Sequence, residues 1–279
     1  MAVLSIDVSL IITTYNWPQA LKMTLQSVLE QSRFPDELIV ADDGSGTETA
    51  QVVSNTLRPS QLKWVHVWHE DRGVRQSRIK NLAIRHSSGT YLIFIDHDVV
   101  LHPEFIADHL SMAGKGFFLQ GKRVLLPPRY TKELLNKGFF VCPTIWMGGL
   151  GNRKNAFHLP LLGKLLAIPK ASETSLRGCN LSMYRSNFLE VDGFDERFDG
   201  SWGREDSDIC YRLFHKGIHV KNLWCMALQY HLSHSVTGNW EKERLDGELL
   251  RNVKEKRNKA IQGFSRLSQE GVVIASSTL

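Results

Sequence analysis

Two carboxylates one residue apart, Asp96 and Asp98, end the apolar run YLIFIDHDVV. In an extended chain residues i and i+2 point to the same side, about 7 Å apart at ~3.3 Å rise per residue. Two such carboxylates repel each other unless a cation lies between them, and hard divalent cations take carboxylate and phosphate oxygens as ligands. The pair therefore indicates a metal site, with exposed acids after a strand as the alternative. His97 points the other way and is expected to pack or to contact a ligand.

Two further polar runs in the first half could bind a nucleotide. In ADDGSG, Asp43 can accept hydrogen bonds from a base or ribose, although Asp-Gly-Ser is also common turn chemistry. The basic run RGVRQSRIKN at 72–81 includes Arg78 and Lys80 and suits phosphate groups. A solvated basic helix face is the alternative for that run.

The second half carries acids and histidines that could serve catalysis. Glu205 and Asp206 in SWGREDSDIC lie in what reads as the first turn of a helix, where the helix dipole also favours acids. Trp202 and Gly203 precede them, and an exposed Trp beside a carboxylate can stack a sugar face while the carboxylate acts as a base. In LQYHLSH, two histidines three residues apart are candidates if the metal needs a nitrogen ligand.

The elements that must position these residues alternate between strand and helix. The segments VSLIIT, ELIVAD, LKWVHVW and YLIFI read as strands, and helices are predicted between them. This order predicts an α/β fold, a mostly parallel central sheet with helices on both faces, whose ligands bind beyond the carboxyl ends of the strands. Residues 138–175 read as a substrate loop, NLSMY as a strand, and 240–267 as an amphipathic basic helix that includes Ile261 and Phe264.

The composition of the chain limits the classes of binding partner and the cellular compartment that we expect. The 279 residues carry a net charge of +5, which fits a nucleotide diphosphate or an anionic membrane surface, and no nucleic-acid recognition motif accompanies it. The four cysteines form no CxxC pair and are expected to be reduced thiols in a cytosol. The start lacks the basic region and cleavage site of a signal peptide, and LPLLGKLLAIP at 159–169 is too short to span a membrane. The expected location is cytoplasmic, with possible peripheral contact of the basic tail on the inner face of the membrane.

Five segments, in order, resemble the family-2 glycosyltransferases with the A-type nucleotide-diphospho-sugar transferase fold. They are VSLIITTYNWPQALKMTLQSVLEQ, PDELIVADDGSG, GVRQSRIKNLAIRHSSGTYLIFIDHD, GCNLSMYRSNFLEVDGFDERFDGSWGREDSDICYRLFHKG and QYH. The later segments also resemble the C-terminal region of galactosyltransferases and of the chondroitin-polymerase type. Single motifs of this kind are weak, but five in the correct order cover most of residues 7–235.

The resemblance implies a role for each candidate residue. Asp206 would be the catalytic carboxylate, with Glu205 on the acceptor or donor sugar. Asp98 and the late histidine, His231 or alternatively His234, would hold Mn²⁺ or Mg²⁺. The implied donor-binding residues are Thr13, Tyr15, Asn16, Asp43, Arg78, Lys80 and Asp96. The implied acceptor-binding residues are Trp202, Gly203 and Trp146.

The resemblance also implies an activity. It is the inverting, metal-dependent transfer of a hexose or N-acetylhexosamine from a UDP-sugar to a glycan or lipid-linked glycan, in synthesis of a bacterial surface polysaccharide such as lipopolysaccharide. The chain would divide into a nucleotide-sugar-binding half at 1–125, an acceptor-binding and catalytic half at 126–238, and a C-terminal helix and tail at 239–279. The alternatives are a non-catalytic nucleotide-sugar or glycan-binding module and a sugar nucleotidyltransferase, although TTYNWPQ lacks the latter's glycine-rich loop.

Overall fold

The computed structural model describes residues 6–138, 143, 145–173, 176–235 and 241–277. Its first elements alternate as the sequence predicts. They are β1 (Val8–Thr14), α1 (Pro18–Leu29), β2 (Glu37–Asp42), α2 (Thr47–Leu57), β3 (Trp64–His69), α3 (Gln76–Arg85) and β4 (Tyr91–Asp96). The strands β1 and β2 are buried along their whole length, which is why they read as continuous apolar runs.

Shorter elements follow. They are β5 (Val99–Leu101), α4 (Phe105–Met112), β6 (Phe117–Gln120), β7 (Arg123–Leu125), α5 (Pro128–Lys137), a 3₁₀ turn (Arg153–Ala156), α6 (Pro160–Leu166), β8 (Asn180–Tyr184), α7 (Arg185–Glu190) and a second 3₁₀ turn (Glu196–Phe198). The last are α8 (Glu205–His215), β9 (His219–Asn222), β10 (Gln229–His231), α9 (Lys242–Lys254), a third 3₁₀ turn (Phe264–Arg266) and β11 (Val272–Ser276).

The central sheet of the described residues has the strand order β11-β3-β2-β1-β4-β8-β6-β9. Strands β3, β2, β1 and β4 are parallel neighbours, and β6 and β9 are also parallel. Only β8 and β11 run against their neighbours. The prediction of a mostly parallel sheet is therefore confirmed.

Helices cover both faces of this sheet. Ile11 of β1 packs in a core with residues of α3, α7 and α8, whereas Leu10 and Ile12 pack in a second core with residues of α1, α2 and α4. Successive strand residues point to opposite faces, so one strand serves both cores.

A small second sheet, β5-β10-β7, lies beyond the end of β4. Strand β10 pairs His231 with Val99 of β5, and the Leu232 N–H donates to the Asp98 carbonyl at 2.8 Å. This pairing brings a strand from the second half of the chain against the residues that follow β4.

The C-terminal region differs from the prediction of one helix over 240–267. Helix α9 ends at Lys254, and Lys256 has a positive φ of 51°, so Ile261 and Phe264 lie outside it. The ring of Phe264 instead packs against Phe188 of α7 at 5.8 Å. The chain then forms β11, an edge strand that the sequence did not reveal. Trp240, where the prediction began, lies outside the described residues.

No helix in the described part of the chain has both the length and the apolar character needed to cross a bilayer. Cys179, Cys210 and Cys225 are free thiols, and Cys142 lies outside the described residues.

A buried ion pair joins α8 to its neighbours. The Arg212 side chain, 1% exposed, donates from Nε to Asp208 Oδ2 at 2.8 Å and from Nη1 to the Gly193 carbonyl at 2.7 Å. The other Asp208 oxygen accepts from the Asn252 amide of α9 at 2.7 Å. The pair therefore fixes α8, whose first turn carries Glu205 and Asp206.

Replacing Arg212 should destabilise the fold strongly. Arg212→Ala leaves Asp208 charged and buried without its partner, which costs about 3–5 kcal/mol of unfolding free energy. Arg33→Ala, which removes an exposed pair with Asp36, should cost less than about 1 kcal/mol. Urea unfolding measures both variants, and equal small losses would contradict a structural role for the buried pair.

Candidate active site

A pocket of about 560 Å³ lies at the carboxyl ends of β1 and β4; we call it the carboxylate pocket. Most of the predicted site residues line it: Thr13, Tyr15, Asp43, Lys80, Asp96, Asp98, Trp202, Gly203, Glu205, Asp206, His231 and His234. A second pocket of about 650 Å³, the aromatic pocket, shares Tyr15, Asp43, His97, Asp98, Trp202 and His234 with it and adds Asn16, Trp17, Gly73, Val74 and Ser235. The shared residues make the two pockets neighbours.

Local hydrogen bonds order the loops around the aromatic pocket. Asn16 has a positive φ of 44°, and its side-chain oxygen accepts from the Gly46 N–H at 3.0 Å. Asp43 accepts from His69 Nε2 at 2.7 Å and from the Arg75 N–H at 2.9 Å. Asn16 and Asp43 are therefore held in place by the chain itself, and each keeps oxygen lone pairs for further donors.

Three carboxylates surround the buried ammonium group of Lys80. Its Nζ lies 2.9 Å from Glu205 Oε1, and both side chains are buried. Burial lowers the pKa of Lys80, but the charges of Glu205, Asp96 and Asp206 outweigh it and leave the pKa raised. Burial, and then the charge of Asp98, raise the pKa of Asp96 to about 7.

Asp206 is held by backbone donors. Its Oδ2 accepts from the Gly178 N–H and its Oδ1 from the Ser207 N–H, both at 2.6 Å. Burial, and then the charge of Glu205, nevertheless raise its pKa to about 6. A fixed carboxylate with this pKa is ionised at neutral pH and basic enough to take a proton.

The approach to α8 explains why Asp206 lies in the pocket. Gly203 has a φ of 98° and Arg204 a φ of 75°, so the chain turns sharply just before Glu205 begins the helix. The turn aims the first helical residues and Trp202 at the pocket. The predicted placement of Trp202 beside the acids agrees with this geometry.

Asp98, His231 and His234 form a group that could hold a metal ion. Asp98 Oδ2 lies 3.2 Å from His231 Nε2 and 2.9 Å from His234 Nε2, and one donor atom from each residue falls within 4.8 Å of the others. Asp98 Oδ1 is buried and has no hydrogen-bond partner among the described residues. Both histidines, between which the sequence left the choice open, therefore face the same carboxylate.

Two predicted residues, Arg78 and Trp146, line neither pocket. Arg78 donates to the carbonyls of Ser268 and Glu270 at 3.0 and 3.3 Å. It lies two positions before Lys80 on α3, which places the two side chains about 200° apart around the helix. Trp146 is 82% exposed and lines neither pocket.

Sequence reasoning did not single out Gly178, whose N–H holds Asp206. Because β8 runs antiparallel to β4, with Asn180 opposite Ile95, the start of β8 lies at the carboxyl end of β4. A glycine two positions before a strand of the second half was the available signal. Arg123 and Arg177 also line the pocket and were not predicted.

The sequence matches two known protein families and several known proteins. The family described as glycosyl transferase family 2 matches residues 9–158, and the family described as N-terminal domain of galactosyltransferase matches residues 167–235. The chain is 23% identical over 233 residues to hyaluronan synthase of Pasteurella multocida, covering 78% of this chain and 24% of that protein. It is 25% identical over 242 residues to chondroitin synthase of Escherichia coli, covering 80% and 34%. The chain thus spans about a quarter to a third of these relatives.

Solved structures share the fold. A mannosyltransferase from Pyrobaculum calidifontis in complex with GDP-Man and Mn²⁺ superimposes with a TM-score of 0.58 at 18% identity, covering 84% of this chain and 59% of that one. S. aureus TarS in complex with UDP-GlcNAc gives a TM-score of 0.60 at 17% identity, covering 94% and 70%. The A-type glycosyltransferase fold predicted from the sequence is therefore confirmed.

Both histidines should contribute to metal affinity. We expect His231→Ala and His234→Ala each to weaken Mn²⁺ binding by at least about tenfold, because each removes one nitrogen from a three-residue donor group. Electron paramagnetic resonance of free Mn²⁺, with and without UDP, measures the change. His158→Ala is the matched control, since His158 bonds to Asp108 away from this group. A variant that binds Mn²⁺ like the wild type would remove that histidine from the donor set.

Proposed function

The chain belongs to glycosyl transferase family 2, and on this premise we propose that it transfers a hexose or N-acetylhexosamine from a UDP-sugar to a glycan acceptor with inversion at the anomeric carbon. One observation carries the proposal. The carboxylate of Asp206, at the start of α8, lines the same pocket as Asp98 and the two histidines. A carboxylate that can act as a base and a group that can hold a metal therefore line one cavity of about 560 Å³.

Donor binding is assigned to the aromatic pocket and the adjoining floor of the carboxylate pocket. Asp43 would accept from the base, and Tyr15 would lie beside the nucleotide with Asn16 ordering its loop. Thr13 Oγ1 is buried without a hydrogen-bond partner among the described residues and is free to donate to the ligand. Of the two predicted cations, Lys80 rather than Arg78 is proposed as the donor contact, because only Lys80 lines this pocket. Asp96 would contact the ribose or the sugar.

The metal would be held by Asp98, His231 and His234. When bound, it supplies Lewis-acid stabilisation of the departing diphosphate. Two imidazole nitrogens in the donor group favour Mn²⁺ over Mg²⁺, which prefers an all-oxygen shell.

Asp206 is proposed as the general base. As the acceptor oxygen bonds to the anomeric carbon, the bond from that carbon to the diphosphate breaks and Asp206 takes the hydroxyl proton. The Gly178 and Ser207 N–H groups hold its two oxygens in position throughout. Glu205, oriented by Lys80, would bind a sugar hydroxyl, and Trp202 would stack on a sugar face.

The acceptor and pathway are proposed from the relatives. Hyaluronan synthase and chondroitin synthase are named for polysaccharides, which supports a glycan acceptor. A lipid-linked acceptor, a bacterial surface polysaccharide and a cytoplasmic location stay predictions from the sequence. The division at residues 125 and 238 stays a prediction. Trp146, exposed outside both pockets, would reach an acceptor only if that acceptor extends along the surface.

A panel of nucleotide sugars tests the proposal directly. We expect one UDP-sugar to bind and to be slowly hydrolysed with Mn²⁺ by the wild type, and Asp98→Ala to lose hydrolysis because a metal ligand is gone. Calorimetry and release of UDP are the measurements. If no nucleotide sugar binds with or without Mn²⁺, the transferase proposal fails; if one binds without any turnover on a glycan panel, the chain is a binding module.

The pH dependence of transfer should report Asp206. A base works only when ionised, so kcat should be constant above its pKa of about 6 and fall as the pH drops below it. Asp206→Asn should lower kcat by about 10²–10⁴-fold, the usual contribution of a general base, while the affinity for UDP stays within about twofold. Full activity in Asp206→Asn would assign the base to another residue.

A further inference from the structure

Helix α6 and its flanks present a concentrated apolar surface to solvent. Leu161 and Leu165 are 80% and 77% exposed, and they lie four residues apart on one side of the helix. The other exposed apolar side chains of this α6 surface are Leu159, Leu162, Leu166 and Ile168. Single exposed leucines are ordinary, but six within ten residues mark a surface that meets an apolar partner.

The helix is docked by its smallest residues, which leaves its large ones outside. A Cβ on Gly163 would lie 2.3 Å from Met226 and 2.5 Å from the Trp224 carbonyl, so this side of α6 packs directly on the 224–226 segment. Ala167, one turn later, is also buried. The large side chains point away from this contact, and the two most exposed leucines, Leu161 and Leu165, remain in solvent.

Cations border the α6 surface. Residues 138–172 include Arg153, Lys154, Lys164 and Lys170 and contain no Asp or Glu. The ammonium of Lys154 and that of Lys122 lie 5.5 and 4.5 Å from the centre of the Trp224 ring, next to the glycine contact of α6. Of these cations, Lys170 forms an ion pair with a carboxylate, that of Glu173 at 3.3 Å.

The same stretch of chain touches the carboxylate pocket on either side of α6. Gly151 bridges to Leu125, which lines the pocket, and Arg177 and Gly178 line it again beyond the helix. The chain segments on both sides of α6 therefore reach this pocket.

Helix α9, where the sequence suggested a membrane contact, offers no comparable surface. Its Leu245 is buried, and its acids Asp246 and Glu248 pair with Arg204 and Arg197. Leu250 alone among the exposed large apolar residues belongs to α9, at 69% exposure.

We propose that α6 is an interfacial anchor that inserts its exposed leucines into a bilayer containing anionic lipids. The leucines project from a convex helix instead of lining a groove, and a short apolar helix ringed by Lys and Arg lies in the headgroup region of such a bilayer. The bordering cations add attraction to anionic headgroups. The anchor would hold the protein at the membrane surface, independently of which sugar it transfers.

Vesicle co-sedimentation of the whole chain tests the anchor. We expect binding to vesicles of phosphatidylcholine mixed with phosphatidylglycerol, weaker binding to phosphatidylcholine alone, and weakening by salt. The double variant Leu161→Glu/Leu165→Glu should reduce the partition coefficient at least about tenfold, because it removes apolar insertion and adds repelled charge. Both sites are exposed, so the thermal midpoint should not change.

Leu250→Glu is the matched control, an exposed helical leucine changed in the same way on α9. It should bind vesicles like the wild type. Equal binding by the wild type and the double variant overturns the proposal, as does equal binding to neutral and anionic vesicles. Light scattering gives a further test. If the wild type and Leu250→Glu are dimers and Leu161→Glu/Leu165→Glu is a monomer, the α6 surface contacts a second copy of the chain, and the proposal is overturned as well.

Discussion

The convergence of negative charge in one cavity is the constraint on which the rest of the structure depends. Five carboxylates, those of Asp43, Asp96, Asp98, Glu205 and Asp206, line the carboxylate pocket. Three features of the pocket reduce the electrostatic repulsion among these carboxylates. Lys80 lies against Glu205, the two imidazoles lie against Asp98, and the pKa values of Asp96 and Asp206 rise to about 7 and 6. Part of the repulsion is therefore relieved by protons, and an added cation near Asp96 lowers its pKa again and favours its ionised form.

The topology supplies each of these groups from a different part of the chain. The carboxyl end of β4 carries Asp96, the first turn of α8 carries Glu205 and Asp206, and β10 carries His231. Because β8 is antiparallel, its amino end reaches the same edge and delivers the Gly178 N–H to Asp206. The buried pair of Arg212 and Asp208 holds α8 in this position through its bonds to Gly193 and to Asn252 of α9.

The sequence predicted the elements best where local pattern and tertiary environment agree. The buried strands β1 to β4, the intervening helices and the carboxylates at the strand ends follow from apolar runs and polar terminations. Contacts between distant segments could not be read in this way: the pairing of Lys80 with Glu205 and the approach of both histidines to Asp98 depend on long-range geometry. That Arg78 and Lys80 lie on different sides of α3 could not be predicted, because a run of cations in the sequence does not reveal which side of the helix each one occupies. The prediction that the last helix continues past Lys254 was wrong. Apolar residues continue at helical spacing in the sequence, but the backbone adopts a left-handed conformation at Lys256.

Strand β11 has a consequence for the order in which the protein can be completed on the ribosome. It covers the open edge of β3, where the Trp64 N–H donates to the Ser277 hydroxyl across 213 positions of sequence. Synthesis proceeds at ~5–20 residues per second, so a nascent chain displays the bare edge of β3 for roughly 10–40 s. An uncovered strand edge is a template for pairing with other chains. During that interval the uncovered edge of β3 can pair with neighbouring nascent chains, and a chaperone that covers this edge would take the place of β11 until β11 is made.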